Sequence, residues 1–189
     1  MSRTQVLRLS GHAVSRRRQR GLTMIEILCT LGVMATTLGI ATPGMKTWQL
    51  RQALLASAAE LETDIHYARS EAVARQQTVR FETQALGAGT CYVVHTGDAH
   101  DCTCKGNSQV QCSGNAQVLR VVEHRAGGAV KLAATGVSLA FDAQRGTVTP
   151  TATLELADSQ GRSIRQIVNI MGRVRSCSPQ GKSTGITLC

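Results

Sequence analysis

RRRQRGLTMIEILCTL, residues 16–31, sets four arginines, a glycine and one glutamate at the mouth of a long apolar run. From Ile27 to Met45 there are 19 residues without a charge. A helix of that length extends roughly 28 Å, close to the thickness of a bilayer's hydrocarbon core. Arginines before it, and only Lys46 just after it, orient such a span with its N-terminus in the cytoplasm and the remainder outside. Glu26 is the discordant residue. A carboxylate costs roughly 2.5–3.5 kcal/mol near the bilayer centre, and less near its edge. Cleavage after Gly21 supplies a reason for it: the new amine on Leu22 of a neighbouring subunit pairs with Glu26 inside the membrane. A secretory signal cut near Ala41 and a plain single-pass anchor are the simpler readings, and both leave a glutamate directly after an Arg-Gly junction unexplained.

The string RGLTMIE (20–26) resembles the type III signal of type IV pilins and pseudopilins. The resemblance implies that a prepilin peptidase cuts between Gly21 and Leu22 and methylates the Leu22 amine. It aligns the family's assembly glutamate with Glu26 and its helix-bending proline with Pro43, which Gly39 precedes. Leu22 departs from the usual Phe at the first mature position. The implied plan is a cytoplasmic leader over 1–21 that is removed, a transmembrane and assembly half-helix over 22–46, an amphipathic half-helix over 47–77, and a periplasmic β-rich domain over 78–189. The implied partners are the peptidase, the inner membrane, crossed once, and the other major and minor pilins of the fibre.

This division changes the meaning of the charge. The formal +9 includes six arginines in residues 1–21, where there is no acid. Without them 15 basic residues face 12 acidic ones, so the global basicity is no argument for nucleic acid. A chain of 189 residues is long enough for one ordinary core, and at 3% aromatic that core must be built from Leu, Val, Ile and Ala.

From Trp48 to about Gln76 the chain lacks Gly and Pro and is rich in helix formers. Leu54, Ala58, Leu61, Ile65, Ala68 and Ala72 recur at spacings of three and four, one apolar stripe suited to covering a sheet. Glu60, Asp64, Glu71 and Arg75 read as its solvated side. The segment ARSEAVARQQTVRF (68–81) is similar to the helix end and first strand of GspH/FimT-type minor pilins and pseudopilins.

Beyond residue 77 the period changes to two. Val79 and Phe81 alternate with Arg80 and Glu82, and β-rich runs follow at 90–95, 117–124, 137–142, 152–157 and 163–171. A long helix followed only by strands is an α+β layout, and the resemblance implies the type IV pilin-like version: a long N-terminal helix packed on an antiparallel sheet.

Cys91, Cys102, Cys104, Cys112, Cys177 and Cys189 all lie beyond the apolar run, and only Cys29 lies within it. An even set in an exported domain points to disulfides. His95 and His100 give the loop 91–112 a metal-like look, but cysteines one residue apart do not match zinc-ligand spacing. Six cysteines allow fifteen pairings. The working expectation is the short loops Cys91–Cys102, Cys104–Cys112 and Cys177–Cys189. No GxSxG, HExxH or P-loop pattern occurs, so neither an enzyme, a metal, a cofactor nor a small-molecule substrate is expected.

After Asp158 there is no acidic side chain, while Arg162, Arg165, Arg173, Arg175 and Lys182 give the last 31 residues a local +5. On a strand Arg173 and Arg175 point the same way, and Gly172 before them leaves room for a phosphate backbone to approach. The GRVR element (172–175) also resembles the C-terminal motif of FimT-like minor pilins that bind DNA in natural transformation. The resemblance makes Arg173 and Arg175 the leading contacts to double-stranded DNA. Arg162, Arg165 and Lys182 are chosen by charge and proximity alone. The alternative is a structural minor pilin or GspH-like pseudopilin that primes a pilus or a type II secretion fibre without touching DNA.

Overall fold

The computed structural model describes residues 21–189 apart from 134–135 and 182–184, and leaves aside the side chains of 40–43. The leader before Gly21, Lys182 and the Pro43 side chain therefore lie outside the described residues. The chain forms two compact units, Met1–Thr42 and Pro43–Cys189. One helix, α1 (Met24–Arg75), runs through the boundary. Its first part exposes Met24, Ile25, Leu28, Leu31, Val33, Met34 and Leu38. Among the described residues no single helix meets both the length and the apolarity needed to cross a membrane; the stretches Met24–Gly39 and Gly44–Arg75 meet them together.

In the second unit the stripe read from the sequence is the buried face of α1. Leu54, Leu61, Ile65, Ala68 and Ala72 are wholly buried, and Ala58 nearly so. Strands β1 (Val79–Leu86), β2 (Gly89–Thr96), β5 (Val118–Arg125), β7 (Ser138–Phe141) and β8 (Val148–Thr149) form a five-stranded sheet in the order β5-β2-β1-β7-β8. A four-stranded sheet has the order β11-β10-β9-β6, from β6 (Val130–Leu132), β9 (Ala152–Asp158), β10 (Ser163–Val168) and β11 (Val174–Cys177). Every strand pair is antiparallel. The helix stripe joins Phe81, Tyr92, Val94, Leu139 and Phe141 of the first sheet to Leu154, Leu156, Ile164 and Val168 of the second in one core. This is an α+β fold with the helix packed on antiparallel sheet, as the period change at residue 77 predicts.

Three readings are corrected. The segment 102–112 is not a loop but a hairpin of β3 (Cys102–Gly106) and β4 (Gln109–Cys112), and it lies against the outer face of β2, where Cys91 and Val93 are buried with it. The expected pairs Cys91–Cys102 and Cys104–Cys112 are replaced by Cys91–Cys104 and Cys102–Cys112, while Cys177 joins Cys189. Hairpin register is the reason. Cys102 stands directly opposite Cys112, with Cα atoms 4.0 Å apart, and so takes it as partner. The Gln84 side chain then clips β3 to β1, donating to the Cys102 carbonyl (2.6 Å) and accepting from the Cys104 amide (2.8 Å). Since Gln84 is opposite Cys91 in the β1–β2 register, Cys104 is brought to Cys91. All four thiols of the segment are consumed in this way, and none is left as a metal ligand.

The third correction concerns Asp64. It is buried, not solvated: its carboxylate accepts from the Tyr92 hydroxyl (2.8 Å) and from Arg120 Nε (3.2 Å), while Arg120 also donates to Glu60 (2.9 Å). Burial beside this carboxylate pushes the Tyr92 hydroxyl well above the usual phenol range. A second buried carboxylate, Glu82, accepts from the Ser138 hydroxyl (2.7 Å) and from the His100 amide (3.2 Å), with His95 Nε2 3.5 Å away. Burial alone would raise the Glu82 carboxyl, but these donors outweigh it and hold its pKa at about 2.

Candidate functional site

Strands β10 and β11 form a hairpin in which Ile164, Gln166 and Val168 face the helix; Gln166 Nε2 donates to the Ala58 carbonyl (3.0 Å). The β-rich run 163–171 predicts one strand, but the structure breaks it at Asn169 and turns. Asn169 has the short polar side chain that makes this possible. Its Oδ1 accepts from the Met171 and Arg173 amides, both at 3.0 Å, and its carbonyl accepts from the Gly172 amide at 2.8 Å. Gly172 has φ +69°, which suits glycine.

Arg173 leaves this turn just before β11 begins, and Arg175 lies within the strand. Both are exposed, and neither forms a salt bridge among the described residues. The other arginines of the predicted set differ. Arg162 is largely buried with Nη2 2.6 Å from Asp158 Oδ2, and it also donates to the Thr47 carbonyl (3.4 Å). Arg165 Nε donates to Glu155 at 2.9 Å, and this bond, with one from Ser163, holds the Glu155 carboxyl below its usual range. Charge counted along the sequence is thus already neutralised at two of the positions. The structure brings Arg173 and Arg175 together and employs Arg162 and Arg165 in holding the sheet.

The expected role of Gly172 is also corrected. It is buried, and a Cβ placed on it would stand 3.1 Å from Arg69 Cδ and 3.1 Å from the Gly146 carbonyl oxygen. The space that it leaves is filled by the protein's own helix and by the neighbouring turn 142–147, not kept open for a phosphate. That second turn carries a residue which the sequence reading passed over. Arg145 is exposed, without a salt bridge among the described residues, one position from Gly146. The dipeptide Arg145-Gly146 reads only as a turn in sequence, because nothing local says that the turn abuts Gly172.

At the other end of the chain, Gly21 and Leu22 precede α1 and are exposed. The Thr23 carbonyl accepts from the Glu26 and Ile27 amides (3.1 and 3.3 Å), which puts Glu26 in the first helical turn. A carboxylate there is favoured by the helix dipole. Glu26 has no salt bridge among the described residues.

Comparison with known proteins follows this division. The family model described as "Type II transport protein GspH" matches residues 57–172, from the helix stripe to Gly172. The pilin-like protein PilA1 of Thermus thermophilus is 38% identical over 71 residues, which are 38% of this chain and 44% of PilA1. The matched part thus spans less than half the length of that relative. Two crystal structures of the type IV minor pilin FimU of Pseudomonas aeruginosa align with TM-scores of 0.48 and 0.47 at 22% and 23% identity. They cover 69% and 67% of this chain, and 95% and 98% of FimU.

Proposed function

Because the chain belongs to the GspH family, pilin-like subunits of a structural rather than enzymatic kind, we propose that it is a minor pilin whose basic turn binds extracellular double-stranded DNA without regard to sequence during natural transformation. The observation that carries this reading is the contrast among the arginines: Arg173 and Arg175 are exposed and unpaired by salt bridges on a braced turn, whereas Arg162 and Arg165 are neutralised. Two arginines make few phosphate contacts, so binding by one subunit is weak and salt-sensitive. Several copies along one fibre would hold the same duplex with an avidity well above the affinity of any single copy. In this reading the precursor is cut by a prepilin peptidase between Gly21 and Leu22, the Leu22 amine is methylated, and Glu26 joins the next subunit within the inner membrane. The mature chain then crosses that membrane once and enters the pilus.

The test is titration of duplex DNA against the mature chain, residues 22–189, in non-ionic detergent, so that the six leader arginines take no part. Arg173→Ala with Arg175→Ala is expected to weaken binding at least about tenfold and to flatten the salt dependence by up to about 0.9 log units per lost phosphate contact. Unchanged binding in the double variant would refute the assignment. A second reading is favoured by the description of the matching family: a pseudopilin that primes a type II secretion fibre. It requires Glu26 and the helix stripe but no DNA affinity, so a wild-type chain that leaves DNA unbound would favour a purely structural subunit, and loss of secretion in its absence would favour the type II fibre over the pilus.

A further inference from the structure

The turn that leads into the two unpaired arginines presents two large apolar side chains, Ile170 (60% exposed) and Met171 (53% exposed). A turn has no packing use for either, and Gly, Asn or Asp would meet its backbone needs better. The backbone beneath them is held from three sides. Asn169 Oδ1 takes the Met171 and Arg173 amides, the Val148 amide donates to the Ile170 carbonyl (2.9 Å), and Gly172 is wedged against Arg69. The product is a braced two-stranded ribbon with an apolar point and cations behind it.

The placement of those cations narrows the partner. Arg173 and Arg175 trail back from the point along β11, and Arg145 lies on the abutting turn. Arg173 and Arg175, two residues apart and both exposed, share one side of β11, so their charge runs along the strand away from Ile170 and Met171. A duplex crossed by the ribbon takes the point into a groove and the trailing arginines onto its phosphate wall. No aromatic side chain occurs in 142–147 or 169–175, so the ridge has no platform for stacking the bases of a single strand. Aliphatic side chains between arginines are instead the equipment with which proteins part base steps from the minor groove.

We propose that Ile170 and Met171 form a wedge that enters the minor groove of bound duplex DNA and partly unstacks a base step, with Arg173, Arg175 and Arg145 clamping the flanking phosphates. This rests on the duplex-binding reading above and adds to it a mode of binding, with mismatched duplexes preferred over matched ones because their steps part more easily. The wedge contacts no phosphate, so its loss lowers affinity while leaving the salt slope in place.

The experiment uses the mature chain, residues 22–189, in non-ionic detergent and a duplex with 2-aminopurine at a central step. Wild type should raise the fluorescence and bind a mismatched duplex more tightly than a matched one. Ile170→Ser with Met171→Ser should remove the fluorescence rise and cost about tenfold in affinity with an unchanged salt slope. Arg173→Ala with Arg175→Ala should reduce the slope. If the serine variant binds and unstacks like wild type, the wedge is refuted while duplex binding stands. If wild type binds no duplex, both fall. Retained DNA binding in a serine variant that no longer enters the fibre, or that no longer adheres to anionic vesicles, would assign the apolar point to a neighbouring subunit or to lipid and refute the wedge.

Discussion

Gly172 lies so close to Arg69 that a Cβ on the glycine would stand 3.1 Å from Arg69 Cδ, and Arg69 Nε donates across the same gap to the Gly146 carbonyl (3.0 Å). One helix side chain therefore sets the position of two turns. The exposed arginines of those turns, Arg145 and Arg173, owe their proximity to this contact and not to their place in the sequence.

Gly172→Ala meets both the positive φ and the Arg69 contact. It is expected to lower stability by about 1–3 kcal/mol in urea unfolding. Duplex affinity should fall as well, although Arg173 and Arg175 are both still present. Normal stability in the variant would show that the packing at this glycine is looser than its geometry indicates.

Non-reducing peptide mapping is expected to return Cys91–Cys104, Cys102–Cys112 and Cys177–Cys189 from the mature protein. Removing either of the first two, with sequence separations of 13 and 10, should cost about 2–4 kcal/mol. Recovery of a Cys91–Cys102 peptide would contradict the β3–β4 register.

Glu82 predicts an acid limb in stability. Its folded pKa of about 2 lies below the ordinary 4.5, so the folded domain binds fewer protons than the unfolded chain between those values. The stabilisation is complete above about pH 5 and is lost as pH falls toward 2, a change of roughly 3 kcal/mol at most. Glu82→Gln should be less stable at pH 7 and should show a flatter profile between pH 5 and 2 in thermal unfolding. A steep limb of wild-type size in that variant would place the effect on another carboxylate.

Asp64→Ala leaves the Tyr92 hydroxyl without its acceptor and Arg120 with Glu60 alone. A loss of about 2–3 kcal/mol is expected, with Asp64→Asn milder because it keeps an acceptor for Tyr92. Equal effects of the two in denaturant titration would mean that charge, not the buried hydrogen bond, decides.

The sequence discloses what depends on near neighbours. Leu54 through Ala72 recur with helical spacing, and every one of the six stripe residues is buried; Val79 and Phe81 alternate as strand residues and are core. What escapes is whatever depends on register between distant segments. Asp64 is three residues from Leu61, at the margin of the stripe, and only the arrival of Tyr92 and Arg120 turns it inward. The Cys102–Cys112 pair follows from the β3–β4 register and Cys91–Cys104 from Gln84 standing opposite Cys91, relations between strands that no spacing records. The basic site divides in the same way: GRVR marks Arg173 and Arg175, but the neutralisation of Arg165 needs β9 beside β10, and the approach of Arg145 needs Gly146 beside Gly172.

The hairpin latched over β2 gives the domain a dependence on where it folds. With the Cys91–Cys104 bond absent, β3 would be held to the sheet by the two Gln84 hydrogen bonds and by the apolar surface around Val93. Where that bond cannot form, the cover would lift more readily and bare that surface to other chains. The cover closes firmly only where thiols are oxidised, so the same bond that completes the fold makes its completion depend on the redox state of its surroundings.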